Sequence, residues 1–134
     1  MNTKVNLDFT TISKALKSFE LPHVDQVVGI ATGGILPAAL LAHQLGLPMS
    51  LLYINYRAAD NSPQRPEPQL LQEVPSLPDE AVILLVDDVS VSGQTMALAR
   101  NMLNHHKVVT FALKGKADLV LFPDIQDCVN WPWK

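Results

Sequence analysis

Two adjacent carboxylates, Asp87 and Asp88, close a run of five aliphatic residues, Val82–Val86, and a hydroxyl- and glycine-bearing turn, Ser90–Thr95, follows. Met96–Asn104 then carries a helical pattern. Carboxylates at the end of a buried strand accept hydrogen bonds from hydroxyl groups and favour positive charge nearby. The free N–H groups of a helix start favour phosphate. A sugar phosphate asks for both in one place.

Positioning these groups requires alternating strands and helices. Thr10–Phe19 reads as a short helix with Ile12, Leu16 and Phe19 on one face. Val27–Ala31 is a β-branched strand interrupted by Thr32-Gly33-Gly34. Ile35–Leu45 is a helix, with Pro37 tolerated in its first turn and Gly46 closing it. It is apolar nearly all round, so burial between the sheet and a second layer or a partner subunit is expected. Met49–Asn55, Val82–Val86 and Val108–Leu113 complete the strands. The Val82–Val86 run is continuous enough to be buried on both faces, as in a parallel sheet. The expected fold is α/β: a mainly parallel twisted sheet flanked by helices.

The 134 residues suffice for one domain with a real core. Ten Lys and Arg against thirteen Asp and Glu leave a net charge of −3, which argues against nucleic acid as a partner but leaves room for a local anion site. One cysteine, Cys128, excludes an intrachain disulfide and fits a reducing cytoplasm. Met1–Asp8 has no signal-type apolar core, and the richest apolar helix is too short to span a membrane. No Gly-x-x-x-x-Gly-Lys or Gly-x-Gly-x-x-Gly is present. His23, His43, His105 and His106 lack metal spacing; His105-His106 reads as a cap on the negative end of the preceding helix. Cys128 has no companions in sequence for a thiol nucleophile.

Between Tyr56 and Ala81 lie five prolines, Pro63, Pro66, Pro68, Pro75 and Pro78. A connection this long is a solvated excursion, an irregular edge hairpin or a lid over the site. Arg57 and Arg65 lie within it and are candidate contacts for an anion.

Val86-Asp87-Asp88-Val89-Ser90-Val91-Ser92-Gly93-Gln94-Thr95 resembles the motif by which type I phosphoribosyltransferases bind 5-phosphoribosyl-1-pyrophosphate (PRPP). Gly29-Ile30-Ala31-Thr32-Gly33-Gly34-Ile35-Leu36-Pro37-Ala38 is similar to that family's pyrophosphate loop and following helix. Phe111-Ala112-Leu113-Lys114, with Val129-Asn130-Trp131-Pro132-Trp133, looks most like the bacterial xanthine-guanine branch. A strand ending in Asp-Asp also occurs in receiver domains, but there the pair follows the first strand and no glycine turn stands directly behind it.

The resemblance implies one domain, residues 1–134, with 57–80 as a flexible loop and 114–134 as a hood that recognises the base. It implies transfer of the 5-phosphoribosyl group from PRPP to a nucleobase, a 6-oxopurine by branch, giving a nucleoside monophosphate and pyrophosphate. Asp87 and Asp88 would hold the ribose hydroxyls and stabilise an oxocarbenium-like transition state. Val91, Ser92, Gly93, Gln94 and Thr95 would cradle the 5′-phosphate, and Ala31, Thr32, Gly33 and Gly34 the pyrophosphate. Lys114, Cys128 and Val129 would meet the base, while Trp131 and Trp133 are either packing anchors or stacking partners. Magnesium would be held mainly by substrate oxygens, with Asp87 and Asp88 as candidate ligands. A cytoplasmic homo-oligomer, dimer or tetramer, is implied.

Two positions depart from the pattern. Thr32 stands where many members carry Lys or Arg. Val91 stands where purine-salvage members carry an aspartate able to move a proton. These departures keep a second reading open, a PRPP or nucleotide sensor with weak or no turnover.

Overall fold

The computed structural model describes residues 4–55, 69–70 and 74–134. Helix α1 (Phe9–Ser18) starts at Asp8, whose carboxylate accepts the Thr11 N–H at 2.7 Å and satisfies one donor of the first turn. Its buried residues, Ile12 and Leu16, are four apart and so share a face. Strand β2 (Gln26–Ala31) is buried along its whole length. Helix α2 (Ile35–Leu45) ends where Gly46 takes φ +67°. Strand β3 (Met49–Asn55), strand β5 (Ile83–Ser90), helix α3 (Gln94–Met102), strand β6 (Val108–Gly115) and the short β7 (Leu119–Val120) follow. Two further short strands, β1 (Val5–Asn6) and β8 (Val129–Asn130), pair with each other in parallel, and β4 (Gln69–Leu70) lies at the sheet edge.

The main sheet has the order β4-β3-β2-β5-β6-β7, parallel except for β4 against β3. Each apolar strand run serves two cores, because successive side chains leave on opposite faces. Val27, Leu84, Val86 and Phe111 pack with Ile12, Leu16, Ala38 and Leu41 of α1 and α2. Val28, Ile30, Leu52, Ile83 and Leu85 pack with Met96, Ala99 and Leu103 on the α3 side. The chain leaves β2 toward β3 on one side and leaves β5 toward β6 on the other. The carboxyl ends of β2 and β5 are therefore the topological switch point, where open α/β sheets have their crevice.

The parallel α/β architecture agrees with the sequence expectation, and several details differ. Strand β5 does not stop at Val86 but runs through both aspartates to Ser90, because β6 continues beside it, pairing Asp87 with Ala112 and Ser90 with Gly115. Helix α3 correspondingly starts at Gln94 and ends at Met102. Helix α2 is not buried all round: His43 and Gln44 are exposed, and Gln44 Nε2 donates to the Leu16 carbonyl at 3.2 Å. His106 does not cap α3; its Nδ1 lies 3.1 Å from the Ala81 carbonyl oxygen and joins the α3–β6 connection to the start of β5.

Of the proline-rich stretch, Pro63, Pro66, Pro68, Arg57 and Arg65 lie outside the described residues. The antiparallel pairing of Gln69 and Leu70 with β3 matches the edge-hairpin reading for those two residues. Val74 and Leu77 pack against the α3-side core, so the end of the stretch is fastened rather than a free loop. No described helix is long and apolar enough to cross a membrane.

Candidate active site

The site forms because β2 and β5 part company. Their pairing ends at Gly29 with Val86, while β5 stays on β6 for four more residues. The opening between them receives the loop after β2. Gly34 wedges there: a Cβ on it would lie 2.5 Å from the Val86 carbonyl oxygen and 2.6 Å from that of Ile30. Its own N–H donates to the Ile30 carbonyl at 2.8 Å. Gly33, one residue earlier, lies against Asp88; a Cβ there would stand 2.5 Å from both carboxylate oxygens. The peptide between Ala31 and Thr32 is cis, and Thr32 is exposed.

Both aspartates are buried, Asp87 at 8% and Asp88 at 5% exposure, so neither is an ordinary surface acid. Each carboxylate accepts the N–H of the next residue, Asp87 from Asp88 at 2.8 Å and Asp88 from Val89 at 2.7 Å. Burial first, and the adjacent Asp88 charge second, push the Asp87 carboxyl well above the usual carboxylate range. The other oxygen of Asp88 lies 3.0 Å from Lys134 Nζ. That contact is an ion pair without hydrogen-bond alignment, so Oδ2 is a buried acceptor with no directed donor.

Because the Asp87 pKa is raised in the fold, its contribution to stability is present at low pH and is lost as pH rises through the folded-state value. Asp87→Asn keeps an oxygen for the Asp88 N–H and removes the buried charge. The melting temperatures of this variant and the wild type should coincide near pH 3.5. By pH 8 the variant should melt higher than the wild type, the gap opening as pH rises. Differential scanning calorimetry across this range checks it, and a pH-independent difference would contradict the burial argument.

The turn after β5 is shorter than the sequence suggests, Val91–Gly93. Gly93 enters α3 at φ +85°, a conformation that side-chain-bearing residues rarely adopt. Ser92 Oγ accepts the Gln94 N–H at 3.2 Å. The first intrahelical bond is Ala97 N–H to Gly93 C=O at 2.9 Å, so the Thr95 and Met96 N–H groups precede it and face outward from the helix start. Val91 is an apolar side chain left 54% exposed on this turn, as no packing requirement would place it.

The structure thus gathers Asp87, Asp88, the Thr32–Gly34 loop, the Val91–Gly93 turn and the Gln94–Thr95 start of α3 at the carboxyl ends of β2 and β5. A family profile described as phosphoribosyl transferase domain matches residues 12–113, most of the chain. The chain belongs to the phosphoribosyltransferase family. It is 25% identical over 112 residues to a xanthine-guanine phosphoribosyltransferase of Idiomarina loihiensis, covering 80% of this chain and 69% of that protein. Among solved structures it shares its fold with a purine phosphoribosyltransferase of Pyrococcus horikoshii (TM-score 0.74, 22% identity, 100% of this chain and 95% of that one). It is equally similar to a hypothetical protein of Neisseria gonorrhoeae with bound ppGpp (TM-score 0.74, 23% identity, 100% and 90%).

The remaining positions that the phosphoribosyltransferase resemblance singles out lie on other elements. Lys114 is half-buried near the end of β6, opposite Val89 of β5 and so at the same end of the sheet as the acids. Cys128 is exposed, and its carbonyl accepts the Val5 N–H at 2.8 Å; Val129 is in β8. Trp131 is a core anchor at 4% exposure, and its indole stacks on that of Trp133 with centroids 5.4 Å apart. Sequence reasoning missed Lys134. No motif marks it, and its contact with Asp88 joins residues far apart in the chain. The only available signal was a cation following two aromatic anchors.

Proposed function

We propose that this phosphoribosyltransferase transfers the 5-phosphoribosyl group from PRPP to a 6-oxopurine. The supporting observation is the buried acid pair at the β2–β5 switch point, with a glycine loop on one side and the start of α3 on the other. In this reading Asp87 and Asp88 accept the ribose hydroxyls, and the first-turn N–H groups of α3, with Ser92 and Thr95, hold the 5′-phosphate. The Gly33 and Gly34 loop holds the pyrophosphate. A base nitrogen forms its bond to ribose C1 as the C1–O bond breaks, and that bond's electron pair leaves with pyrophosphate. The carboxylates stabilise positive charge developing on the ribose. The proton of the attacking nitrogen passes to solvent, since Val91 carries no acid–base group. Lys114 would donate to the exocyclic oxygen of the base, and residues 114–134, with Cys128 and Val129, form the hood of a single domain.

Magnesium belongs to this reading through the resemblance. When bound it would neutralise the pyrophosphate leaving group. Asp88 Oδ2, which has no directed donor, would hold such an ion once the Lys134 ammonium moves off it, with Asp87 as its neighbour. Two carboxylates do not complete an octahedral shell, and substrate oxygens would supply the rest.

The xanthine-guanine relative and the retained acids support turnover over a silent sensor. The test is to incubate pure protein with PRPP and magnesium against guanine, xanthine, hypoxanthine, adenine, uracil and orotate. Nucleotide should form with a 6-oxopurine first. Binding of PRPP with no nucleotide from any base would reinstate the sensor. A cytoplasmic homo-oligomer, dimer or tetramer, is proposed through the family resemblance. Light scattering that shows only monomer at micromolar concentration would remove the oligomer.

A further inference from the structure

Lys134 is held where it is by local geometry. Trp131 is buried in the α1–α2 core. Pro132 follows it at the second position of a turn, where its fixed φ is favourable, and the Lys134 N–H closes that turn on the Trp131 carbonyl at 3.2 Å. The Trp131 and Trp133 rings stack nearly parallel, with 8° between their planes, which stiffens the segment. The lysine stem leaves this anchored turn and brings Nζ to 3.0 Å from Asp88 Oδ2. Asp88 is the carboxylate that lies against Gly33, so the ammonium, the acid and the glycine loop meet at one point.

The charge balance of that point is the difficulty a PRPP site faces here. Pyrophosphate carries several negative charges, and the acid pair beside the loop repels it. The loop itself offers N–H groups and the Thr32 hydroxyl but no fixed cation. Among the described residues, Lys134 is the one ammonium in contact with either acid. Its side chain is 42% exposed, so the head can shift by a few ångströms without being desolvated.

We propose that Lys134 is the cation of the pyrophosphate subsite. In the free protein it neutralises Asp88. When the ribose hydroxyls take over the Asp88 oxygens, the ammonium turns to the pyrophosphate oxygens beside Gly33. The opposite assignment is a plug, in which the lysine competes with ribose for Asp88. The two differ in sign. A subsite cation strengthens PRPP binding, and a plug weakens it. The inference rests on the phosphoribosyl-transfer reading above.

The experiment is calorimetric titration of the full chain, as wild type, Lys134→Gln and Lys134→Arg, with PRPP, pyrophosphate and ribose 5-phosphate in the presence of magnesium. Melting temperatures of all three proteins confirm folding. Lys134→Gln should lose about 10–100-fold in affinity for PRPP and pyrophosphate, the range of a charged hydrogen bond to phosphate. It should change ribose 5-phosphate affinity by less than about 2-fold, and Lys134→Arg should restore most of the loss. PRPP affinity that is unchanged or tighter in Lys134→Gln overturns the proposal while the phosphoribosyl reading stands. Equal losses for all ligands overturn it too, since they mean that the lysine only positions Asp88. A wild type that binds neither PRPP nor ribose 5-phosphate defeats the underlying reading and this inference with it.

Discussion

Asp88→Asn is expected to lower PRPP-dependent turnover by about 10²–10³-fold while the melting temperature stays within about 2 °C of wild type. Asp88 sits at the crossing of every line drawn through the site. One of its oxygens is satisfied by the Val89 N–H, and an asparagine oxygen can keep that bond. Its second oxygen faces Lys134 and Gly33, and an amide there presents N–H donors to an ammonium and to ribose hydroxyls that need acceptors. The substitution removes negative charge where positive charge would develop, and preorganised charge at a buried point is worth several kcal/mol in a transition state. Stability should change little, because the ion pair lost has a half-exposed partner. A buried carboxylate is also costly to keep in the fold. Steady-state kinetics with the base found in the panel, together with thermal melting, decide it. A kcat/KM equal to wild type would remove Asp88 from the chemistry.

Gly34→Ala should destabilise the fold by about 3 kcal/mol and lower Tm by on the order of 10 °C. The added methyl would meet two backbone carbonyl oxygens, those of Val86 and Ile30, at 2.5 and 2.6 Å. Neither is the end of a flexible side chain, so β2 and β5 themselves must move apart. Those strands carry both cores, because Ile30 belongs to the α3 side and Val86 to the α1–α2 side. Thr32→Ala is the matched control. It is two residues away and exposed, and it should melt within about 1 °C of wild type. Should Gly34→Ala melt like the wild type, the wedge between the strands is not what shapes the loop.

Much of the site is readable in the sequence because its parts are contiguous. A strand, two acids, a glycine turn and a helix start follow one another within Ile83–Met102, and each is governed by its near neighbours in the chain. The glycine loop after β2 is local in the same way. What failed locally failed for a physical reason. The apolar run stops at Val86 and so marks too early an end for β5, whereas the hydrogen bonds to β6 that carry the strand to Ser90 are contributed by a segment more than twenty residues away. His106 looked like a helix cap, since nothing near it in sequence announces the Ala81 carbonyl.

By itself, then, the sequence determined the alternation of strands and helices, the acid pair with its phosphate-suited turn, and the family to which both belong. The alternation and the turn depend on side-chain periodicity and on backbone preferences that act over a few residues; the family rests on the resemblance of the motifs and on the matching profile. The contacts of Gly33 with Asp88, of Asn130 in β8 with Asn6 in β1 through a 2.8 Å side-chain bond, and of Lys134 with Asp88 come from the tertiary structure alone. These contacts join residues tens of positions apart. They form because packing on a shared core brings their elements together, and no spacing in the chain encodes that distance.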